Sequence, residues 1–125
     1  MSRGRRAAAV LLGGWLVVAS GCAIPPPREV LLLARGMAFI LPDQPDTSNP
    51  VIPFRAGEHV RVVFRNEAPG LIHDFHVPAW NVVTEAIRAG ETTDVVFTVP
   101  PTPGRFEYLC RPHAELMRGF VEVTP

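Results

Sequence analysis

Residues 59–65 read His59-Val60-Arg61-Val62-Val63-Phe64-Arg65. Side chains of an extended chain alternate between two faces. Val60, Val62 and Phe64 therefore share one face, and His59, Arg61 and Arg65 fall largely on the other. That alternation predicts a half-buried strand. Ala56-Gly57-Glu58 before it and Asn66 to Gly70 after it read as turns. The pattern recurs on both sides. Toward the N-terminus, Val30 to Ala34 and Met37 to Leu41 are short apolar runs, followed by a polar, proline-rich loop from Pro42 to Pro50. Toward the C-terminus, Ile72 to Val77 is a short strand candidate and Asn81 to Ile87 is mixed. Thr93 to Val99 alternates with Val95, Phe97 and Val99 inward. Arg105 to Cys110 places Phe106, Tyr108 and Cys110 on one face, and Gly119 to Val123 turns Val121 and Val123 inward. No long helical periodicity competes and no internal repeat is present. Many short strands separated by turn signals predict an all-β sandwich or barrel.

The chain of 125 residues suits one domain after a leader. Arg3, Arg5 and Arg6 precede an apolar stretch from Ala7 to Ala19, then Ser20-Gly21-Cys22. A basic start, a short apolar run and a small-residue end are the parts of an export signal. The run is shorter than the about 20 residues of a permanent membrane span. Val18-Ala19-Ser20-Gly21-Cys22 resembles the lipobox of bacterial lipoproteins, in which the cysteine is lipidated, although Ala19 stands where leucine is preferred. Pro25-Pro26-Pro27 then favours extended polyproline geometry and would act as a stiff spacer. The expected organisation is a signal peptide over 1–21, a Pro-rich tether over 22–28 and a β-domain over 29–125. The protein is expected to be exported, on the periplasmic or extracellular face of the membrane and in contact with it through lipid on Cys22.

The whole chain is formally neutral and has no lysine. Loss of residues 1–21 leaves nine arginines against twelve acids, a net charge of −3. This balance argues against nucleic-acid binding, which calls for a basic patch. There are two cysteines, one at the signal boundary and one at Cys110. With Cys22 lipidated, Cys110 is a lone thiol in an oxidising compartment, and metal ligation explains it.

Cys110 ends an inward-alternating strand, and His113 and Met117 come after it in the run Tyr108-Leu109-Cys110-Arg111-Pro112-His113-Ala114-Glu115-Leu116-Met117. A loop this short brings three side chains to one metal by curling around it. The fourth ligand must come from elsewhere. His73 and His76 point to opposite faces if their segment is extended, so one of them must be chosen, and His73 at a neighbouring strand end is a good candidate. A thiolate, two imidazoles and a thioether match the trigonal His2Cys copper site with a weak axial Met. A methionine is a poor ligand for zinc. As a bare pattern, C-x2-H-x3-M reads equally well as a turn with a buried Cys and a Met filling a core gap.

The stretches Arg55 to Glu67, His73 to Pro78, Arg88 to Cys110 and Arg111 to Val123, in this order and spacing, resemble the cupredoxin family, the small blue copper proteins such as plastocyanin, amicyanin, pseudoazurin and azurin. The resemblance covers most of residues 30–124. It implies a Greek-key β-sandwich and one Cu(I)/Cu(II) ion held by His73, Cys110, His113 and axial Met117. It also favours His73 over His76. Two features depart from the family. The ligand loop mixes the C-x2-H spacing of plastocyanin and amicyanin with the H-x3-M spacing of azurin. Asp74 stands where the family has an Asn whose amide ties the two ligand loops, and an ionised carboxylate cannot donate.

The ligand set and the resemblance together lead to the expectation of a one-electron carrier between redox proteins, a cytochrome or a membrane oxidoreductase, and not an enzyme. Copper storage, delivery or sensing is the alternative. Four histidines cannot supply the further ligands of a copper nitrite reductase or multicopper oxidase, and positions 111 to 117 lack the second cysteine of a binuclear site. The family's apolar rim around its exposed histidine implies a docking patch here of Leu71, Pro112, Ala114 and Leu116. Arg111, Glu115 and Arg118 are candidates for steering a partner. His59 is expected to be solvated, His76 partly buried, and Trp80 and Phe75 in the core.

Overall fold

The computed structural model describes residues 13–125. Arg3, Arg5, Arg6 and the first part of the apolar stretch, on which the signal-peptide reading rests, lie outside the described residues. Residues 13–27 form no helix or strand, and among the described residues no helix is long and apolar enough to cross a membrane.

From residue 28 on, the regular structure is mostly strand. In chain order the strands are β1 (Arg28–Arg35), β2 (Ala38–Ile40), β3 (Ile52–Arg55), β4 (His59–Asn66), β5 (His76–Val77), β6 (Val82–Val83), β7 (Thr92–Thr98), β8 (Gly104–Leu109) and β9 (Arg118–Thr124). Single 3-10 turns occupy Pro78–Trp80 and Arg111–His113. One sheet has the order β2-β1-β4-β7 and the other β3-β9-β8-β5-β6. β1 runs parallel to β4 and β3 parallel to β9, and the remaining neighbours are antiparallel. The alternation predicts an all-β sandwich or barrel and the resemblance implies a Greek-key sandwich; the two sheets form that sandwich.

Period-two alternation becomes burial. Val60, Val62 and Phe64 are fully buried, while His59 and Arg65 are exposed. Leu32, Phe39, Ile52, Phe54, Phe75, Val77, Tyr108, Val121 and Val123 complete the space between the sheets. Phe39 is the hub, with ring centroids 5.8 Å from Phe64, 6.2 Å from Phe75 and 5.2 Å from Tyr108. The pairs with Phe75 and Tyr108 are edge-to-face, and such pairs add about 0.5–1.5 kcal/mol each beyond area burial. Trp80 is half-buried and packs on Phe54, Phe97 and Phe106. Val99 is buried, but Val95 and Phe97 are half-buried, because β7 is the edge of its sheet.

Tyr108 explains one glycine. Its ring lies across Gly119 on the next strand, and a Cβ there would sit 2.5 Å from the Tyr108 hydroxyl oxygen. The hydroxyl donates to the Pro50 carbonyl at 2.6 Å, pinning the 42–50 loop to β8.

The strand expected over Ile72 to Val77 is broken. His76–Val77 forms β5, and His73 makes a separate bridge to Ile87. Between them the Phe75 N–H donates to the Thr84 hydroxyl at 3.0 Å, and the Thr84 N–H returns to the Phe75 carbonyl at 2.9 Å. A side chain takes the place of a ladder rung, so the chain bends where a regular strand would have continued.

Candidate metal centre

Cys110 comes directly after the last residue of β8 and continues its inward alternation, which leaves its sulfur fully buried. The chain then curls. The His113 N–H donates to the Cys110 carbonyl at 3.1 Å, and the Leu116 and Met117 N–H groups both donate to the His113 carbonyl, at 3.1 and 2.9 Å. The Cys110 N–H closes the loop on the Met117 carbonyl at 2.9 Å. Pro112 sits within the 3-10 turn, where its missing N–H costs nothing. Met117 is fully buried.

His73 comes from the opposite loop. It exchanges two backbone hydrogen bonds with Ile87, at 3.1 and 2.9 Å. Its Nε2–H donates to the Gly36 carbonyl at 2.9 Å, which makes Nδ1 the unprotonated nitrogen. That lone pair faces Cys110 and His113. The Sγ of Cys110 lies 3.6 Å from His73 Nδ1 and 3.7 Å from His113 Nδ1, and the two nitrogens are 3.2 Å apart. A trigonal first-row ion bound at roughly 2.0 Å to nitrogen and roughly 2.3 Å to sulfur needs N···S separations of about 3.7 Å and an N···N separation of about 3.5 Å. The two N···S sides have the size one such ion takes, and the N···N side of 3.2 Å is the shorter one. His76 lies outside this cluster, as the opposite-face argument requires.

Electrostatics agree with the geometry. Burial pushes the Cys110 thiol up, while backbone N–H groups of Asp74 and His113 act in the opposite direction. Burial, reinforced by the neighbouring His113, pulls His73 down, against the Gly36 hydrogen bond and the Asp74 charge. Both shifts favour a neutral thiol and a neutral imidazole. A cation held by these residues would displace the thiol proton, so its uptake would be coupled to proton release.

Asp74 connects the two loops by a route the sequence does not announce. It is 1% exposed. One carboxylate oxygen accepts the Arg111 backbone N–H at 2.8 Å, and the other accepts Arg111 Nε–H at 2.6 Å. A carboxylate cannot donate, so Arg111, beside the ligand cysteine, brings the donors to it. Arg111, expected as a residue that could steer a partner, thus has its guanidinium paired with Asp74 while its side chain stays half exposed. Arg118 likewise pairs with Glu107.

Three further residues support the loops without being metal-ligand types. Gly36 supplies the carbonyl that orients His73. Asn66 is fully buried and its amide donates to the Leu71 and Ile87 carbonyls, at 2.8 and 2.9 Å, bracketing His73. Asn49 donates to the Leu116 carbonyl at 3.1 Å. The sequence marks Gly36 and Asn66 at most as turn residues.

Among the expected docking residues, Pro112 and Leu116 are exposed and Ala114 is half-buried, all beside half-buried His113 in one shallow depression. Leu71 lines a separate one with Ile72 and Arg88. Cys22 is exposed.

Comparison with known proteins agrees with this centre. Residues 51–124 match the model of the copper binding proteins of the plastocyanin/azurin family. No curated protein matches the chain by sequence. Among solved structures, auracyanin B is 22% identical, with a TM-score of 0.64 over 82% of this chain and 93% of that one. The reduced auracyanin of the photosynthetic bacterium Roseiflexus castenholzii is 18% identical, with a TM-score of 0.60 over 81% of this chain and 100% of that one. A Cu-containing nitrite reductase of Thermus scotoductus is 23% identical, with a TM-score of 0.60 over 80% of this chain but 28% of that one, so the same fold also occurs as a part of larger chains. The family match covers more than half of the chain and copper is its metal: this protein is a member of the plastocyanin/azurin family of copper-binding proteins.

Proposed function

We propose that this protein is a one-electron carrier with a mononuclear copper centre, and that His73, Cys110 and His113 would hold the ion with Met117 as a weak fourth ligand. The observation that carries the reading is the triangle of two Nδ1 atoms and one Sγ with sides of 3.2, 3.6 and 3.7 Å. Bound there, copper supplies a Cu(I)/Cu(II) couple. The chain's own residues do the rest. The thiolate and thioether suit the reduced ion, and imidazole also serves the oxidised one. Gly36 fixes one imidazole, Asp74 and Arg111 tie the two ligand loops, and the short cross-bonded loop from Cys110 to Met117 leaves the ligands little room to rearrange. A rigid set acceptable to both oxidation states keeps the cost of electron exchange low. His73 and Cys110 are buried from water, while half-buried His113 offers the route to the surface.

In this reading residues 29–125 are the carrier domain, residues 1–21 are an export signal, and Cys22 carries a lipid that holds the domain outside the membrane through the proline spacer. Its partners are redox proteins that dock beside His113. No substrate is transformed.

The test is an optical and EPR spectrum of the chain from residue 23, loaded with Cu(II) and then reduced. A strong visible band that bleaches on reduction and returns on oxidation, with narrow copper hyperfine splitting, is expected. Cys110→Ser should lose that band entirely. A variant without the thiolate that kept its colour would overturn the ligand assignment. Ready transfer of copper to an acceptor without redox cycling would replace electron transfer with copper delivery.

A further inference from the structure

The ligand loop is gripped from outside at two points. Asp74 holds its entrance through Arg111. Asn49 holds its exit, through the Leu116 carbonyl. The exit needs a grip. Leu116 is 63% exposed, so burial of its side chain does not fix its backbone, yet the next residue is fully buried Met117.

Asn49 is suited to the task by three separate properties. Its φ is 51°, in the left-handed region that Asn tolerates better than most non-glycine residues. Its backbone N–H donates to the Phe39 carbonyl at 2.8 Å, and its Oδ1 accepts the Phe39 N–H at 2.9 Å. With the oxygen thus committed to a donor, Nδ2 is the atom that faces Leu116, and the amide has one orientation that satisfies both ends. The base of this strut is firm as well. Phe39 is the hub of the aromatic core, and the Pro50 carbonyl beside Asn49 accepts the Tyr108 hydroxyl at 2.6 Å. The strut runs from the packed core to the loop.

We infer that Asn49 is a positioning residue for the copper centre: its side chain fixes the exit of the ligand loop and so the placement of Met117 relative to the thiolate and imidazoles. The inference rests on the proposed copper carrier. Glycine at 49 keeps the backbone conformation and loses both side-chain bonds. Aspartate keeps the acceptor for Phe39 and loses the donor to Leu116 but adds a charge, so uncharged Asn49→Gly is its control.

The experiment uses the full chain as wild type, Asn49→Asp and Asn49→Gly, each copper-free and loaded with Cu(II). In the copper-free protein, amide exchange at Cys110 and Met117 should quicken roughly fivefold in both variants, as the loss of one neutral hydrogen bond allows. In the loaded protein, both should shift the ratio of the visible charge-transfer bands and the reduction potential in the same direction. A merely structural role would lower the melting temperature of Asn49→Gly and leave the spectrum and potential of both variants at wild-type values. That result, with unchanged exchange at Cys110 and Met117, would overturn the inference. Asn49→Gly is read alone in the same way if Asn49→Asp does not fold. A wild type lacking the band would instead overturn the copper reading, and the copper-free exchange would still decide the role of Asn49.

Discussion

The two sheets of this protein are built differently. In the first, β1 and β4 pair over seven consecutive residues, Arg28↔Val60 to Ala34↔Asn66, and β4 and β7 over seven more, His59↔Thr98 to Arg65↔Thr92. That sheet carries none of the proposed ligands. In the second, β8 and β9 pair well, but β5 meets β8 at a single position, His76↔Leu109, and both β5 and β6 are two residues long. His73, Cys110 and His113 all flank this poorly laddered region. Where the ladder stops, side chains take over the backbone: Thr84 at Phe75, Asn66 at Leu71 and Ile87, Asp74 at Arg111, Asn49 at Phe39 and Leu116. A regular sheet points side chains to its faces at fixed intervals. Three ligand atoms between 3.2 and 3.7 Å apart need a geometry that no ladder provides. The regular sheet is therefore the frame, and the irregular one is the site.

The largest effect should come from damaging the frame. Phe64 is fully buried in β4, and Phe64→Ala removes its contact with Phe39. A large-to-small core change of this kind costs about 3–5 kcal/mol. Urea unfolding of the copper-free protein should show this loss. The visible spectrum of the folded fraction should stay at the wild-type position, because Phe64 touches no ligand and Phe39 keeps its contacts with Phe75 and Tyr108 and its backbone bonds to Asn49. A shifted band would break the distinction between frame and site.

The reverse change, Arg111→Gln, should leave the frame intact and disturb the site. It strips the charged partner from a buried carboxylate while the backbone N–H bond to Asp74 survives. The loss of stability should be about 1–2 kcal/mol, well below that of a fully buried pair, since Arg111 is itself half exposed. The more telling readout is the reduction potential. An uncompensated negative charge beside the ligands stabilises the more positive oxidation state, so the potential should fall. The double variant Arg111→Gln with Asp74→Asn should recover it. A potential unmoved by the single variant would show that the ion pair is a strut and nothing more.

The division between frame and site also decides what could be read from the residues. Val60, Val62 and Phe64 announce their face because alternation is a local property, and the same holds for Tyr108, Cys110, Val121 and Val123. The thiol, imidazoles and thioether announce a metal because few other chemistries want that set in one place. The supports are silent. Nothing local distinguishes Asn49 from another loop polar residue, since its two partners are ten and sixty-seven positions away. Asp74 reads as a missing amide donor until Arg111 is seen to bring its own N–H groups to it. The break at Asp74 and Phe75 is equally hidden, because it depends on a hydroxyl nine residues downstream. Local periodicity reports elements, while side-chain bonds across long sequence separations decide how those elements end.

The smallest effect tests the frame end of the comparison away from copper. Glu58 precedes β4 and accepts hydrogen bonds from Arg28 on β1 and from the Arg55 backbone N–H. The Arg28 hydrogen bond, opposed in part by burial and aided by Arg55, holds its carboxyl below the usual value of 4.5. A depressed folded-state value means that the carboxylate stabilises the fold above the unfolded value, and that this contribution disappears as pH falls through the folded one. Glu58→Gln should therefore cost about 0.5–1 kcal/mol in urea unfolding at neutral pH, in the range of a semi-exposed ion pair. As pH falls below the folded-state value wild type and variant should converge, because the wild-type carboxyl is then protonated in both states. The copper spectrum should be identical in the two proteins at neutral pH. A difference in stability that persisted at low pH would assign the effect to the shape of the turn at Gly57 and Glu58, and not to the charge that joins it to β1.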